Sequence, residues 1–273
     1  MTGNRGETER SVAVMQPYFF PYLGYFQLLA HVDVFVVHDD TQYVKQSWIN
    51  RNRILERGAA AFLTLPVASG SHRQLIFEKR LHEPRRHQRK LLERIRQAYD
   101  AAPHLDAVSA FLEPLFPGDD ETVASFNVRA LRALKEVLGV RSRLVLASER
   151  AYPRSGSAQE RVIRICLEEG GARYVNPIRA RSLGLYDQAA FDAAGLELSY
   201  LSTSADIRYH QNGGPFVSDL SVIDVLMFNS PAQARELLDR FVLRPPRSLG
   251  AAGDIEPSPP GPLRVPLDHR ETG

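Results

Sequence analysis

The fold is decided by residues 11–40, SVAVMQPYFFPYLGYFQLLAHVDVFVVHDD. Val12, Ala13, Val14 and Met15 are a short unbroken apolar run, the pattern of a strand buried on both faces. Pro17 and Pro21 fix φ and lack an N–H, so an irregular loop follows. From Gly24 to His31, Phe26, Leu28 and Leu29 recur at helical spacing. Val34 to Val37 is a second apolar run, ending on His38, Asp39 and Asp40. Two buried strands joined through a loop and a short helix make a βαβ unit, and parallel strands require such a crossover. The expected fold class is α/β: a mostly parallel sheet with flanking helices.

Working outward, Phe62 to Leu65 reads as a third strand before Pro66. Pro84 to Tyr99 is strongly helical and basic. Leu91, Leu92, Ile95 and Ala98 face one way, while Arg85, Arg86, Arg89, Lys90, Arg94 and Arg96 face elsewhere. Helices are expected around Leu105–Leu115 and over Val123–Leu138, the second stopped by Gly139. Leu144–Leu146 returns to strand, Gln159–Glu169 to helix, Tyr174-Val175 to strand, Leu185–Ala194 to helix and Leu196–Leu201 to strand. Ser221–Phe228 reads as the final helix. The spacing predicts a flexible N-terminus over 1–10 and an α/β catalytic domain over 11–243. A helical subdomain is inserted at about 82–140. The proline- and glycine-rich residues 244–273 read as a disordered tail, too poor in apolar surface to offset their ordering entropy.

Composition narrows the function classes. The chain has 273 residues, 44% hydrophobic and 24% charged, which excludes disorder as the main state. Its one cysteine, Cys166, excludes an internal disulfide scaffold and reads as a small buried residue of helix 159–169. Lys and Arg number 34 against 32 Asp and Glu, a balance too mild to call for nucleic acid. No apolar run is long enough for a membrane span, and residues 1–10 lack the apolar core of a signal peptide. A cytoplasmic protein is expected, with no nucleic-acid or membrane partner. The sequence contains no Walker loop, GxGxxG, GxSxG or zinc-type Cys/His spacing. No cofactor is expected, with a divalent metal or nucleotide left open.

Polar and aromatic residues cluster in three places. The first, Gln16 to Tyr25, follows the first strand, where open parallel sheets place their ligands. Tyr18, Tyr22 and Tyr25 carry hydroxyls that seek partners when buried, and Gln16 sits at the strand's carboxyl end. The second follows strand two: His38, Asp39, Asp40, Gln42 and Tyr43, then Trp48, Asn50, Arg51 and Asn52. Adjacent carboxylates raise one another's pKa, which suits a general base; equally they offer oxygen ligands to a divalent cation, or cap a turn. Arg51 supplies a planar fork for carboxylate or phosphate. The third holds Tyr209, Gln211 and, within an apolar helix, Asp224, which is either paired in the core or turned to a pocket.

Met15 to Phe26, His38 to Lys45 and Trp48 to Ile54 resemble the first two blocks of the WbqC-like family, and Tyr209–Gln211 with Phe216–Asn229 resembles its C-terminal block. His38 stands where that family often has tyrosine, which ranks it below Asp39 and Asp40. The resemblance implies an enzyme of polysaccharide or antibiotic gene clusters, on the pattern of a glycine transferase acting on an amino sugar of O-antigen. Tyr22-Leu23-Gly24-Tyr25 also looks like a nucleotidyltransferase opening with tyrosines in place of its two histidines. That likeness implies a nucleotidyltransferase-like, Rossmann-like sheet.

Three functions follow. The first is an amide-forming acyl or aminoacyl transferase acting on a small-molecule amine acceptor. Asp39 or Asp40 is its base, Gln16, Tyr18 or Tyr22 orients the acceptor, and Asn50, Arg51 or Asn52 stabilises the oxyanion. An acyl- or peptidyl-carrier thioester is a donor, docked on the basic helix 85–96. The second is a nucleotide-dependent adenylating enzyme with metal at Asp39 and Asp40. The third is a non-catalytic protein that binds small ligands in the aromatic pocket.

Overall fold

A computed structural model describes residues 9–71, 73–116 and 121–246. The first strand, β1 (Ser11–Met15), is followed by α1 (Leu23–His31) and β2 (Val34–Val37). β1 and β2 pair in parallel, Val12 opposite Val34 and Met15 opposite Val37. An antiparallel hairpin follows, β3 (Arg51–Glu56) and β4 (Ala59–Thr64). Three helices come next: α2 (Pro84–Ala98), α3 (Leu105–Leu112) and α4 (Val123–Val137). The chain then returns through β5 (Arg143–Leu146), α5 (Ala158–Glu168), β6 (Arg173–Pro177), α6 (Ile178–Ser182), α7 (Gln188–Ala193) and β7 (Glu197–Thr203). It ends with α8 (Val222–Phe228), α9 (Pro231–Leu238) and β8 (Phe241–Arg244).

The main sheet has six strands in the order β5-β2-β1-β6-β7-β8. All its pairings are parallel except β7 with β8. The chain winds outward from β1 through β2 to β5, then returns to β6 on β1's other side. Strand order therefore reverses between β1 and β6, the crevice where doubly wound sheets hold ligands beyond their carboxyl ends.

The period-2 alternation of a strand builds two cores. Val12 and Val14, with Val34, Val36 and Tyr174, pack on α5 and α7 through Ile165, Cys166 and Phe191. Ala13, Phe35, Val37 and Val175 join the larger cluster on the opposite face, with α1, the hairpin and α2, α3, α4, α8 and α9. Asn127 of α4 ties the helical layer to the loop after β1, donating from Nδ2 to Pro17 O at 2.9 Å and to Ile49 O at 2.7 Å. Gly24 lets α1 lie on β7: a Cβ there would meet Tyr22 Cε2 at 2.6 Å and Thr203 Oγ1 at 2.7 Å.

The α/β class and the parallel β1–α1–β2 unit are as the sequence led one to expect. Three element readings need correction. The strand at Phe62–Leu65 belongs to the separate hairpin and not to the main sheet, because its partner is the adjacent segment Arg51–Glu56. The helix expected over Leu185–Ala194 starts later, as α7, because Asp187 caps its start by accepting from the Ala189 amide, and a separate short helix, α6, precedes it. The chain also continues past Phe228 into α9, capped by Ser230, and β8. Most of the 1–10 and 244–273 segments, expected flexible and disordered, lies outside the described residues.

Candidate functional site

The carboxyl ends of β1, β2 and β6 open into a cleft of about 460 Å³. Met15, Gln16 and Tyr18 line it from the loop after β1, and His38, Asp40, Thr41 and Gln42 from the turn after β2. The opposite wall is Arg154 and Arg161 from the start of α5, and Asn176, Arg179 and Tyr186 from β6 onward. The tyrosine loop and one of the paired acids thus share one cleft. A strand's last residues leave the sheet with side chains free to turn into the crevice. Gln16, His38 and Asn176 hold that position on three neighbouring strands.

The two acids point apart. Asp39 Oδ1 and Oδ2 accept from the amide and hydroxyl of Ser148 at 2.9 and 2.6 Å, so Asp39 ties β2 to the segment after β5. Burial pushes its carboxyl up and the Ser148 hydrogen bonds oppose that. Asp40 is 3% exposed. Its Oδ2 accepts from Arg161 Nη2 at 2.5 Å and stands 3.5 Å from Arg154 Nε. Its Oδ1 lies 3.6 Å from His38 Nε2. Burial and the Arg161 charge push the His38 imidazole down to about 4, against the pull of Asp40. His38 is therefore neutral at neutral pH and has a lone pair to offer. Asp39 is thus engaged with Ser148, and Asp40 with two guanidinium groups. Burial also pushes the Tyr186 phenol up to about 12 and the Tyr18 phenol higher still, so both stay protonated donors.

Gln16 Nε2 donates to Thr41 Oγ1 at 3.1 Å, joining the two loops across the cleft floor. The other predicted site residues lie outside the lining of this cleft. Tyr25 donates to Gln16 O at 3.0 Å from outside the cleft. Tyr22 is the N-cap residue of α1 and bridges to Ser221. Asn52 Nδ2 donates to Phe19 O and Phe20 O at 3.1 and 2.7 Å. It thereby holds Phe20 at φ 39°, a left-handed backbone that non-glycine residues seldom adopt. Asn50 Nδ2 donates to Leu65 O at 3.1 Å. The Arg51 guanidinium lies 4.3 Å from the centre of the Phe62 ring, that of Arg53 5.9 Å from Trp48, and Lys79 Nζ 5.3 Å from Tyr43.

Asp224 is paired in the core. It accepts from Tyr99 at 3.0 Å, Tyr209 at 2.6 Å and Gln211 at 2.6 Å. Burial pushes its carboxyl up, and those three hydrogen bonds oppose the shift. Cys166 is wholly buried, and burial pushes its thiol up. Among the described residues no group of three or more His, Cys, Asp or Glu comes together as a metal site, and no helix is long and apolar enough to cross a membrane.

Sequence reasoning missed Arg154, Arg161, Asn176, Arg179 and Tyr186. Asn176 carried a readable signal, a polar residue closing an apolar strand as Gln16 and His38 do. Arg161 carried none, because the chain is rich in arginine and spacing alone offers no way to rank one of them.

Fold and cleft define a doubly wound α/β protein with a crevice at the strand-order reversal. The sequence model of the WbqC-like protein family matches residues 16–236, and the chain belongs to that family. It is 32% identical over 234 residues to "Uncharacterized protein Rv1507c" of Mycobacterium tuberculosis, covering 84% of this chain and 97% of that relative. No solved structure matches it.

Proposed function

We propose that the cleft is the active site of a transferase that forms an amide. It would join an acyl or aminoacyl group, of the glycyl type, to an amine acceptor such as an amino sugar in glycan or natural-product biosynthesis. One observation carries the reading: a neutral His38 backed by Asp40 lies in the same cleft as Arg154, Arg161 and Arg179. The acceptor nitrogen attacks the carbonyl carbon of an activated donor. The C–N bond forms, the bond to the leaving group breaks, and the leaving group departs with that electron pair. The nitrogen loses one proton, which His38 accepts. Asp40, 3.6 Å from Nε2, stabilises the imidazolium so formed, as a carboxylate does for a general-base histidine. Gln16 and Gln42 orient the acceptor, and the protonated Tyr18 and Tyr186 phenols donate to the developing oxyanion.

A carrier-protein thioester fits as donor, and α2 is the surface that would meet an acidic carrier. Arg86, Arg94 and Arg96 of that helix stand within 3.6 Å of Glu83, Glu56 and Glu113, which tempers its cationic face. A second reading, nucleotide-dependent adenylation, is favoured by the position of the cleft at the strand-order reversal.

The test is to incubate the protein with pantetheine thioesters of glycine and short acids and a panel of amino sugars. Thiol release and product mass are followed. Amine-dependent release that falls roughly 100-fold or more in His38→Gln supports the reading. Release that ignores the amine, or survives the substitution, refutes it. Stabilisation by ATP with magnesium alone would turn the assignment to adenylation.

A further inference from the structure

One wall of the cleft is far more cationic than the chain as a whole. Its lining holds three guanidinium groups, Arg154, Arg161 and Arg179, and one carboxylate, Asp40. Asp40 accepts from Arg161 at 2.5 Å and stands 3.5 Å from Arg154, both at the same Oδ2. Arg154 and Arg161 thus share one carboxylate, which leaves that pair one formal positive charge in excess. Concave, partly desolvated positive charge is unfavourable unless an anion completes it. Arg161 is held inside, its side chain 12% exposed, and its Nε is buried with no hydrogen-bond partner among the described residues. Arg154 is 55% exposed and overhangs the opening.

Two further features sit at the same place. Gly156 and Ala158 line the cleft at the first turn of α5, an eleven-residue helix. That start is capped from within, the Glu160 amide donating to Ser157 Oγ at 3.2 Å and the Ser157 amide to Glu160 Oε2 at 2.8 Å, so it shapes the wall while the arginines supply the donors. Beyond the arginines the lining turns apolar through Val162, Ala180, Leu183 and Leu185, which suits the uncharged remainder of a ligand. A carboxylate alone would not use three guanidinium forks. A phosphate ester, with more oxygens and up to two charges, does.

We infer that the wall formed by Arg154, Arg161 and Arg179 is a phosphate subsite, and that the substrate entering this cleft is a phosphate ester whose phosphate seats there. The inference deepens the function proposed above by naming the donor's handle, and it rests on that cleft being the substrate site. It does not need the amide chemistry. Phosphate esters reach such a cleft from two sources, a phosphopantetheine arm or a nucleotide.

Isothermal titration on the full chain separates them. The probes are 4′-phosphopantetheine against pantetheine, and ADP against adenosine, at low and high salt. At least one phosphorylated probe binds, roughly 10-fold or more tighter than its dephosphorylated counterpart, and weakens as salt rises. Arg154→Gln, at an exposed position that leaves the fold intact, lowers that affinity roughly 10- to 100-fold. Arg240→Gln, which removes a cation outside the cleft, leaves it unchanged. Selective binding of phosphopantetheine names a carrier arm, and selective binding of ADP names a nucleotide; both support the subsite. Equal binding of the members of each pair, unchanged affinity in Arg154→Gln, or no binding of either phosphorylated probe at millimolar concentration overturns it. Failure of the transfer assay with intact phosphate binding would sink the amide reading alone.

Discussion

His38→Gln should flatten part of the protein's acid lability, and the size of the effect follows from the structure. The imidazole is buried beside Arg161, and those two influences hold its pKa at about 4 in the fold against 6.5 in the unfolded chain. The fold therefore binds fewer protons than the unfolded chain between those values. The contribution is fully present above pH 6.5, is lost as pH falls toward 4, and is constant below. Each pH unit in that window costs about 1.4 kcal/mol. Lowering the pH from 7 to 4.5 then removes about 2 to 3 kcal/mol through His38 alone, or about 4 to 12 °C in Tm for a chain of this size. The assay is thermal unfolding by calorimetry at both pH values for the native protein and His38→Gln. Carboxylates remote from His38, such as Glu169, are present in both proteins and cancel in the difference. The native protein should lose more stability than the variant by the stated amount. Equal losses would mean that the imidazole titrates as in a free chain, and with that the neutral general base would fall.

The two acids should separate. Asp40→Asn strands Arg161 in its buried setting, at a cost of about 3 kcal/mol, and lowers any turnover sharply. Asp39→Asn loses part of its pairing with Ser148, at a cost of about 1 to 2 kcal/mol, and leaves turnover near the native rate. Denaturation and rate measured side by side decide it, and identical behaviour refutes the division of roles. Asn52→Ala frees the carbonyls of Phe19 and Phe20 and should cost about 3 kcal/mol in urea unfolding; a loss below about 1 kcal/mol would show that the aromatic loop holds itself. Gly24→Ala forces a Cβ against Tyr22 and Thr203 and should cost about 1 to 3 kcal/mol in the same assay; a neutral outcome would mean that α1 shifts freely on β7.

Local physics in the chain was enough for the sheet's first half. Val12–Met15 and Val34–Val37 are apolar on both faces, which only a strand covered on both sides can use. The prolines between them and the short apolar helix leave a right-handed crossover as the simple connection. The same two runs end in Gln16 and His38, so the edge where ligands gather was readable as well. Burial of Cys166 followed from its neighbours Ile163, Ile165 and Leu167.

Side-chain direction at strand ends was decided by tertiary structure alone. Asp39 and Asp40 are adjacent and chemically identical, yet Ser148, 109 residues on, takes one, while Arg161, 121 residues on, takes the other. Partners that far apart leave no period in the sequence. Asn50, Asn52 and Asp224 looked like site groups because polar residues in apolar surroundings are rare. Their roles as clamps emerged only once the carbonyls of Leu65, Phe19 and Phe20 and the hydroxyls of Tyr99 and Tyr209 were brought against them. The cationic wall arises likewise, because Arg154, Arg161 and Arg179 reach one crevice only through the return of the chain to β1's free side. Composition fixes which charges a chain carries; long-range closure fixes which of them meet.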